Sequence, residues 1–459
     1  MSAAALAPPR EGSETARLLR SVRALSGSGP DTDRVAPWLA EYARTHRFRV
    51  DRIPFADLDG WSFAPDTGNL VHRSGRFFSV EGLHVTHPEG PFPEWQQPII
   101  NQPEVGVLGI LVKEFDGVPH FLMQAKMEPG NPNLLQLSPT VQATRSNYTK
   151  VHRGADVKYL EYFVDAPPER VIADVLQSEH GSWFLRKANR NMLVEAVGEV
   201  PLEDNFCWLT LGQIGELLRH DNVVNMDART VLACAPTQPA TGALHSEREL
   251  LSWITGERAH HDRRVRSVPL ASLAGWERGA WSVERVPEER HFRVMAVSVE
   301  AENREVAQWT QPLIEPIGLG VTAFVTRTFG GVPHLLAHAR VEGGLMDTLE
   351  LAPTVQCTPD AFRSAAPAQR PPFLDLVLDA PKQRIRYEAV HAEEGGRFYH
   401  AQSRYLIVEA DESEAPAVPP PGYRWVTPAQ LNSLVRHSRY VNVQARSLLA
   451  CLNTAAVTP

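Results

Sequence analysis

Apolar and polar positions along the chain follow two different periods. From Gly106 to Phe115 the residues are almost continuously apolar or β-branched. Gly117-Val118-Pro119 interrupts them, and a second such run goes from His120 to Met127, which predicts a hairpin. Lys158 to Asp165 alternates, with Tyr159, Glu161 and Phe163 set against Leu160, Tyr162 and Val164, and predicts a strand. Arg190 to Val197 predicts another. The period then becomes helical. Thr210 and Gln213 form a capping-box pattern ahead of Leu211, Ile214, Leu217 and Leu218, and Asn225 caps a short helix reaching Cys234. Thr427 and Gln430 repeat the device, with Pro428 at the first helical position. Ser246 to Trp253 reads as a further short helix. There is no regular strand–helix alternation and no glycine-rich loop after a strand. That argues for an α+β fold and against dinucleotide binding.

The pattern occurs twice. Trp95-Gln96-Gln97-Pro98 returns as Trp309-Thr310-Gln311-Pro312, 214 positions on. At the same offset, Gly117-Val118-Pro119-His120 returns as Gly331-Val332-Pro333-His334, and Pro139-Thr140-Val141-Gln142 as Pro353-Thr354-Val355-Gln356. Trp61 answers to Trp276. After the proline-rich stretch Ala415 to Gly422 the offset becomes 217, so Trp208 answers to Trp425 and Arg219-His220 to Arg436-His437. Each copy is too long for a solenoid unit, so this is an internal duplication of a domain. The expected organisation is an N-terminal extension over 1–46, poorly ordered to about residue 30. A first module follows over 47–235, then a linker over 236–261 and a second module over 262–459.

Length and composition refine this only a little. The 459 residues allow two or three domains, each expected to bury its own core, and 43% hydrophobic with 22% charged residues is ordinary for a globular chain. A formal net charge of −8 argues against broad nucleic-acid binding, yet local cations can still hold a small anion. The four cysteines are scattered and show no zinc spacing, so free buried thiols are expected. No apolar run is long enough for a bilayer and no signal-peptide core is visible; the expectation is cytoplasmic.

Three clusters carry candidate chemistry. Gln142 to Tyr148 is dense in polar groups: Arg145 suits a bidentate phosphate contact, and Thr144, Ser146 and Asn147 suit a sugar or phosphate; an ordinary polar loop is equally open. Gln177 to Phe184 sets aromatics beside amides around Gly181-Ser182, which fits either stacking on a base or a tight turn. Lys126-x-Glu128 reads mainly as a solvated charged face. Between the copies, Lys126 becomes Arg340 and Glu128 becomes Glu342. Arg145, Asn147 and Tyr148 become Pro359, Ala361 and Phe362. This suggests a full site in the first copy and a simplified one in the second.

Long segments resemble one family. They include Met123-Gln124-Ala125-Lys126, Glu128-Pro129-Gly130-Asn131, Leu137 to Tyr148, Leu176 to Phe184 and Asn189-Arg190-Asn191-Met192. With Gly60-Trp61 and Phe77 to Gly82, they are similar to the NDP-hexose 2,3-dehydratases over nearly the whole chain, duplication included. The resemblance implies tandem Nudix-like modules, a homodimer and action on dTDP-4-keto-6-deoxyglucose. It also implies coupling to a 3-ketoreductase, no cofactor and no metal. It carries substrate contacts to Trp61, Thr144, Arg145, Ser146, Asn147, Tyr148 and Ser182. In the second copy it carries them to Trp276, Arg340, Gln356, Cys357, Thr358, Glu394, Gly395, Gly396 and Arg397. For the implied β-elimination, His152 and Glu161 are candidate bases, and Lys126 and Tyr148 candidate donors or acids. A Nudix pyrophosphatase would need a metal-binding helix that neither copy has. A non-catalytic sugar-nucleotide binding protein stays open as the alternative.

Overall fold

The computed structural model describes residues 13–144, 157–239, 242–286, 291–302, 306–362, 366 and 370–457. The first module contributes β1 (Phe48–Ile53), β2 (Trp61–Phe63), β3 (Leu70–His72), β4 (Ser79–Thr86), β5 (Glu94–Asn101), β6 (Val107–Phe115), β7 (Val118–Met127), β8 (Leu135–Ser138), β9 (Val141–Ala143), β10 (Val171–Ser178), β11 (Ala188–Glu195) and β12 (Phe206–Leu209). The second contributes β13 (Arg264–Val268), β14 (Trp276–Arg278), β15 (Ser282–Arg285), β16 (Phe292–Ala301), β17 (Gln308–Pro316), β18 (Gly320–Phe329), β19 (Val332–Val341), β20 (Leu349–Ala352), β21 (Val355–Cys357), β22 (Ile385–Ala392), β23 (Gln402–Glu409) and β24 (Tyr423–Val426).

Each module builds one large sheet, in the order β10-β11-β6-β7-β12 and its counterpart β22-β23-β18-β19-β24. The predicted hairpin is there as β6 and β7, closed at Phe115↔Val118. β6 also runs parallel to β11, and β18 parallel to β23, so both sheets are mixed. The capping boxes at Thr210 and Thr427 and the Asn225 cap form as the sequence predicts. One element does not. Glu161–Val164 is a short helix, not part of a strand, because Phe163 turns inward to fill the space over Gly109, where a Cβ would lie 2.4 Å from its ring. The N-terminal extension also differs from expectation. Glu14–Arg23 and Thr32–Thr45 are helices, anchored by Leu18 and Val35, which are fully buried, and by an Arg17–Glu195 ion pair at 2.8 Å. The linker carries a longer helix than expected, Glu247–His260. Among the described residues no helix is long and apolar enough to cross a membrane.

Each module keeps an apolar cluster of its own, and the two modules also share a larger one. They exchange strands: β1 of the first pairs with β16 of the second, from Phe48↔Ala301 to Ile53↔Ala296, and β13 of the second pairs with β4 of the first, from Arg264↔Thr86 to Val268↔Gly82. A single apolar cluster holds Leu108, Met123 and Leu137 together with Phe324, Leu335 and Leu351. The paired helices Met226–Leu232 and Val443–Asn453 lie at its centre. There two fully buried arginines reach across. Arg229 donates to Val224 O at 2.6 Å in its own module, and to Ala392 O at 2.8 Å and Ser447 Oγ at 3.2 Å in the other. Arg446 mirrors it, donating to Val441 O, Ser178 O and Thr230 Oγ1, each at 2.6 Å.

Arg229→Ala leaves two buried carbonyls without donors and should cost on the order of 3–5 kcal/mol. Arg44→Ala, which breaks an exposed pair with Glu41, should leave stability unchanged. Urea unfolding of both variants checks this, and equal midpoints would remove the arginine cross from its central place.

Candidate functional site

The exchange produces two clefts, each lined from both modules. In the first, β7 of the first module ends in Lys126, Glu128 and the turn to Asn131. The turn that follows β22 of the second module enters from the opposite side. Gly130 N donates to Gly395 O at 2.7 Å, and His400 N donates to Gly130 O at 2.7 Å. The fit excludes side chains: a Cβ on Gly395 would lie 2.2 Å from Asn131 Oδ1, and one on Gly396 2.8 Å from Glu394 Oε1. Glu128 pairs with Lys126 at 3.3 Å and accepts from Gln142 Nε2, on β9, at 2.9 Å. Arg397 donates to Gln102 Oε1 at 3.0 Å and lies over the Phe78 ring, 4.3 Å from its centroid. Phe78 in turn lies 4.8 Å from Trp61, whose indole N–H bonds Thr310 O of the second module. Behind them, Lys187 donates to Asn189 Oδ1 at 2.8 Å, and Asn189 donates to Glu179 Oε1 at 2.7 Å.

Among the described residues this cleft gathers the acids Glu128, Glu179, Asp227 and Glu394 with the cations Lys126, Lys187 and Arg397. Burial and crowding shift the proton equilibria of Glu394, Asp227, Lys187 and Arg397. Burial pushes Glu394 up to about 7; Arg397 opposes this, and Glu179 and Glu128 add to it. Burial also raises Asp227, reinforced by Glu394, Glu179 and Glu128. Burial lowers Lys187 and Arg397. Glu394 and Arg397 sit deep, yet both keep accessible surface, so a ligand can reach them. A carboxyl that titrates near neutrality can take or give a proton at working pH.

The second cleft is the pseudo-symmetric copy with different chemistry. Glu342 Oε1 accepts from Arg340, Gln356 and Ser182, all at 3.0 Å, the last from the first module. Gly344 N donates to Gly181 O at 2.6 Å. His180 stands where the first cleft has Glu394, and shares a 2.9 Å hydrogen bond with Glu393. Burial disfavours charge on His180, but the Glu393 carboxylate outweighs it and raises the imidazole above its usual range. Trp183 replaces Arg397 and faces Phe292, which packs on Trp276 at 5.1 Å. Gln444 replaces Asp227. Burial raises the Cys357 thiol to about 11, so it is protonated beside Thr358.

The residues singled out from sequence are therefore regrouped. Trp61 and Lys126 share the first cleft with Glu394, Gly395, Gly396 and Arg397 of the other copy, and Thr144 follows directly on β9, which carries Gln142. Ser182 joins Trp276, Arg340, Gln356, Cys357 and Thr358 in the second. The expectation of one site within each copy gives way, because the turn after β10 or β22 crosses to the partner module. Lys126-x-Glu128 is expected as a solvated face, but Glu128 is buried and Lys126 largely so. Glu161 is exposed on its short helix and lacks the desolvation a carboxylate base requires. Arg145, Ser146, Asn147, Tyr148 and His152 lie outside the described residues. Sequence reasoning missed Asp227 and Gln102. For Glu128, the return of the Lys-x-Glu pair as Arg340-x-Glu342 was a usable signal.

The family model for NDP-hexose 2,3-dehydratase matches residues 32–235 and again 247–452. Three curated relatives carry the name dTDP-4-dehydro-6-deoxy-alpha-D-glucopyranose 2,3-dehydratase. One from Amycolatopsis orientalis is 60% identical over 98% of this chain and 96% of its own. One from Streptomyces violaceoruber is 50% identical over 92% and 97%, and one from Saccharopolyspora spinosa 49% identical over 98% and 97%. The chain belongs to the NDP-hexose 2,3-dehydratase family.

The shift of Glu394 has a measurable sign. Between its ordinary 4.5 and about 7 the folded chain holds a proton there that the unfolded chain has released, so stability falls as pH rises through that window. Urea midpoints measured from about pH 5 to about pH 8 should fall more for the wild type than for Glu394→Gln. Parallel profiles would contradict the shift.

Proposed function

We propose that this chain removes water from dTDP-4-dehydro-6-deoxy-alpha-D-glucopyranose across C2 and C3, and that the first cleft is where it does so. The names of the three relatives support the substrate. The observation that carries the site is Glu394, a deep but reachable carboxyl raised to about 7, with Arg397, Glu179 and Glu128 as charged neighbours.

The 4-ketone acidifies the C3 hydrogen. Glu394 takes this proton as base, and Lys126 donates toward the C4 oxygen, where negative charge develops. The C2–O bond then breaks, and a proton from an acid converts the leaving hydroxyl to water. Asp227, whose carboxyl is raised well above its usual range by burial and by its acidic neighbours, fits that acid role. The remaining C2=C3 enol gains a proton at C2 and loses one from the C3 hydroxyl, giving the 3,4-diketo-2,6-dideoxy sugar. Atoms balance as substrate to product plus one water, with no net oxidation. Arg397 and Arg145 suit the diphosphate, and Trp61 with Phe78 offers an aromatic wall for the base or sugar. Ser146, Asn147, Tyr148 and His152 stay candidates, from the sequence, for sugar contacts and proton transfer.

In this reading the second cleft, with a His180–Glu393 pair and Trp183 in place of Glu394 and Arg397, binds without turning over. Each module is Nudix-like, a reading supported by its mixed sheet flanked by helices. The protein works as a cytoplasmic homodimer whose product passes to a 3-ketoreductase.

Glu394→Gln should cut kcat by roughly 10²–10⁴ while nucleotide-sugar affinity stays within a few-fold. The assay is NADPH oxidation by an excess of 3-ketoreductase, with titration calorimetry for binding. Normal turnover in Glu394→Gln would remove that residue from the mechanism. Persistent substrate with the wild type, despite tight binding, would favour a non-catalytic binding protein.

A further inference from the structure

A second cluster of ligating side chains lies outside both clefts, at one end of the exchanged strand pair. The β4–β13 ladder ends at Thr86↔Arg264. Just beyond it, His87 of the first module and His261, at the end of the linker helix, turn their rings toward each other, with His87 Nε2 3.0 Å from His261 Nδ1. Glu89 reaches in, its carboxylate 3.9 Å from His87 Nε2, and one ligand atom from each of the three residues lies within 4.8 Å of the others. His261 presents its other nitrogen, Nε2, to Glu257 at 3.7 Å. A carboxylate behind the distal ring nitrogen is the usual orienting partner of a metal-bound imidazole.

From this geometry we propose a divalent-metal site, with His87, Glu89 and His261 as ligands and a preference for zinc. Two imidazoles and one carboxylate are the donor set zinc favours, and water completes a tetrahedron. At zinc–nitrogen distances of about 2.0–2.1 Å, two tetrahedral nitrogens lie roughly 3.3 Å apart. The rings need to open by only a few tenths of an ångström. The metal stands beside the exchanged strand pair and ties the first module to the end of the linker, so it cross-links residues 174 apart in the chain. Its effect extends to the second cleft. Arg263, two residues past His261, donates to the carbonyls of Glu342, Gly343 and Leu345, the turn that carries Glu342. The site serves the scaffold and stands apart from the elimination chemistry.

The test uses the full chain, stripped with chelator, desalted, reloaded with Zn2+ and measured by elemental analysis. The wild type should retain about one zinc per chain, and His261→Gln and Glu89→Gln should bind at least ~10-fold more weakly. Co2+ in place of zinc should give the intense visible bands of a tetrahedral site, lost in His87→Gln. Zinc should raise the melting temperature of the wild type and leave that of His261→Gln where it was. Glu89 is exposed, so Glu89→Gln reads metal loss even if a histidine variant folds poorly. Equal zinc retention in wild type, Glu89→Gln and His261→Gln would overturn the proposal, as would only weak, octahedral cobalt absorption.

Discussion

Everything in this molecule hangs on the pair of arginines buried between the central helices. A guanidinium cannot shed its charge, so full burial is tolerable only where carbonyls and hydroxyls are arrayed to receive it. Arg229 and Arg446 meet that demand reciprocally. Each satisfies the end of its own module's loop with one nitrogen and the other module's strand end with another. The carbonyls they hold across the interface belong to Ala392 and Ser178. These are the last residues before Glu393-Glu394 and before Glu179-His180. The constraint that joins the modules is thus the one that aims the turns entering the two clefts.

That shared geometry makes the chemical divergence of the clefts informative. Backbone contacts recur almost unchanged: Gly130 N to Gly395 O in one, Gly344 N to Gly181 O in the other. The Lys-x-Glu or Arg-x-Glu pair and its glutamine recur as well. What changes is what faces the ligand. One cleft collects carboxyls raised by mutual repulsion and burial; the other binds its histidine and glutamate to each other. An acid locked into an ion pair is a poor proton shuttle, whereas one crowded by like charges is poised to exchange. The framework is held constant while reactivity is concentrated on one side.

Much of this was legible in the sequence, but unevenly. The 214-residue offset gave the duplication, and the capping boxes at Thr210 and Thr427 and the hairpin at Gly117 formed as read, because these are local signals. The helix over Glu161–Val164 was misread as a strand because six alternating residues fit both periods. Only Phe163, packed against the bare face of Gly109, decides between them. Nothing local announces that β1 and β13 trade places, since a strand's pattern says which face is buried and not which neighbour buries it. For the same reason the sequence does not say which residues of one copy face those of the other. Glu394 emerged only through resemblance. Asp227 was hidden because a lone aspartate in a helix's first turn ordinarily serves the helix dipole.

The traded strands also say something about ancestry. Two bodies that each lend their first strand to the other have the geometry of a domain-swapped pair related by a two-fold axis. A single-copy forerunner assembled in this way would present two identical pockets, and any substitution would alter both together. Joining the copies end to end breaks that bond of symmetry. One pocket is then free to lose a histidine–glutamate lock or gain an arginine while its twin keeps the older arrangement, so specialisation follows from fusion alone.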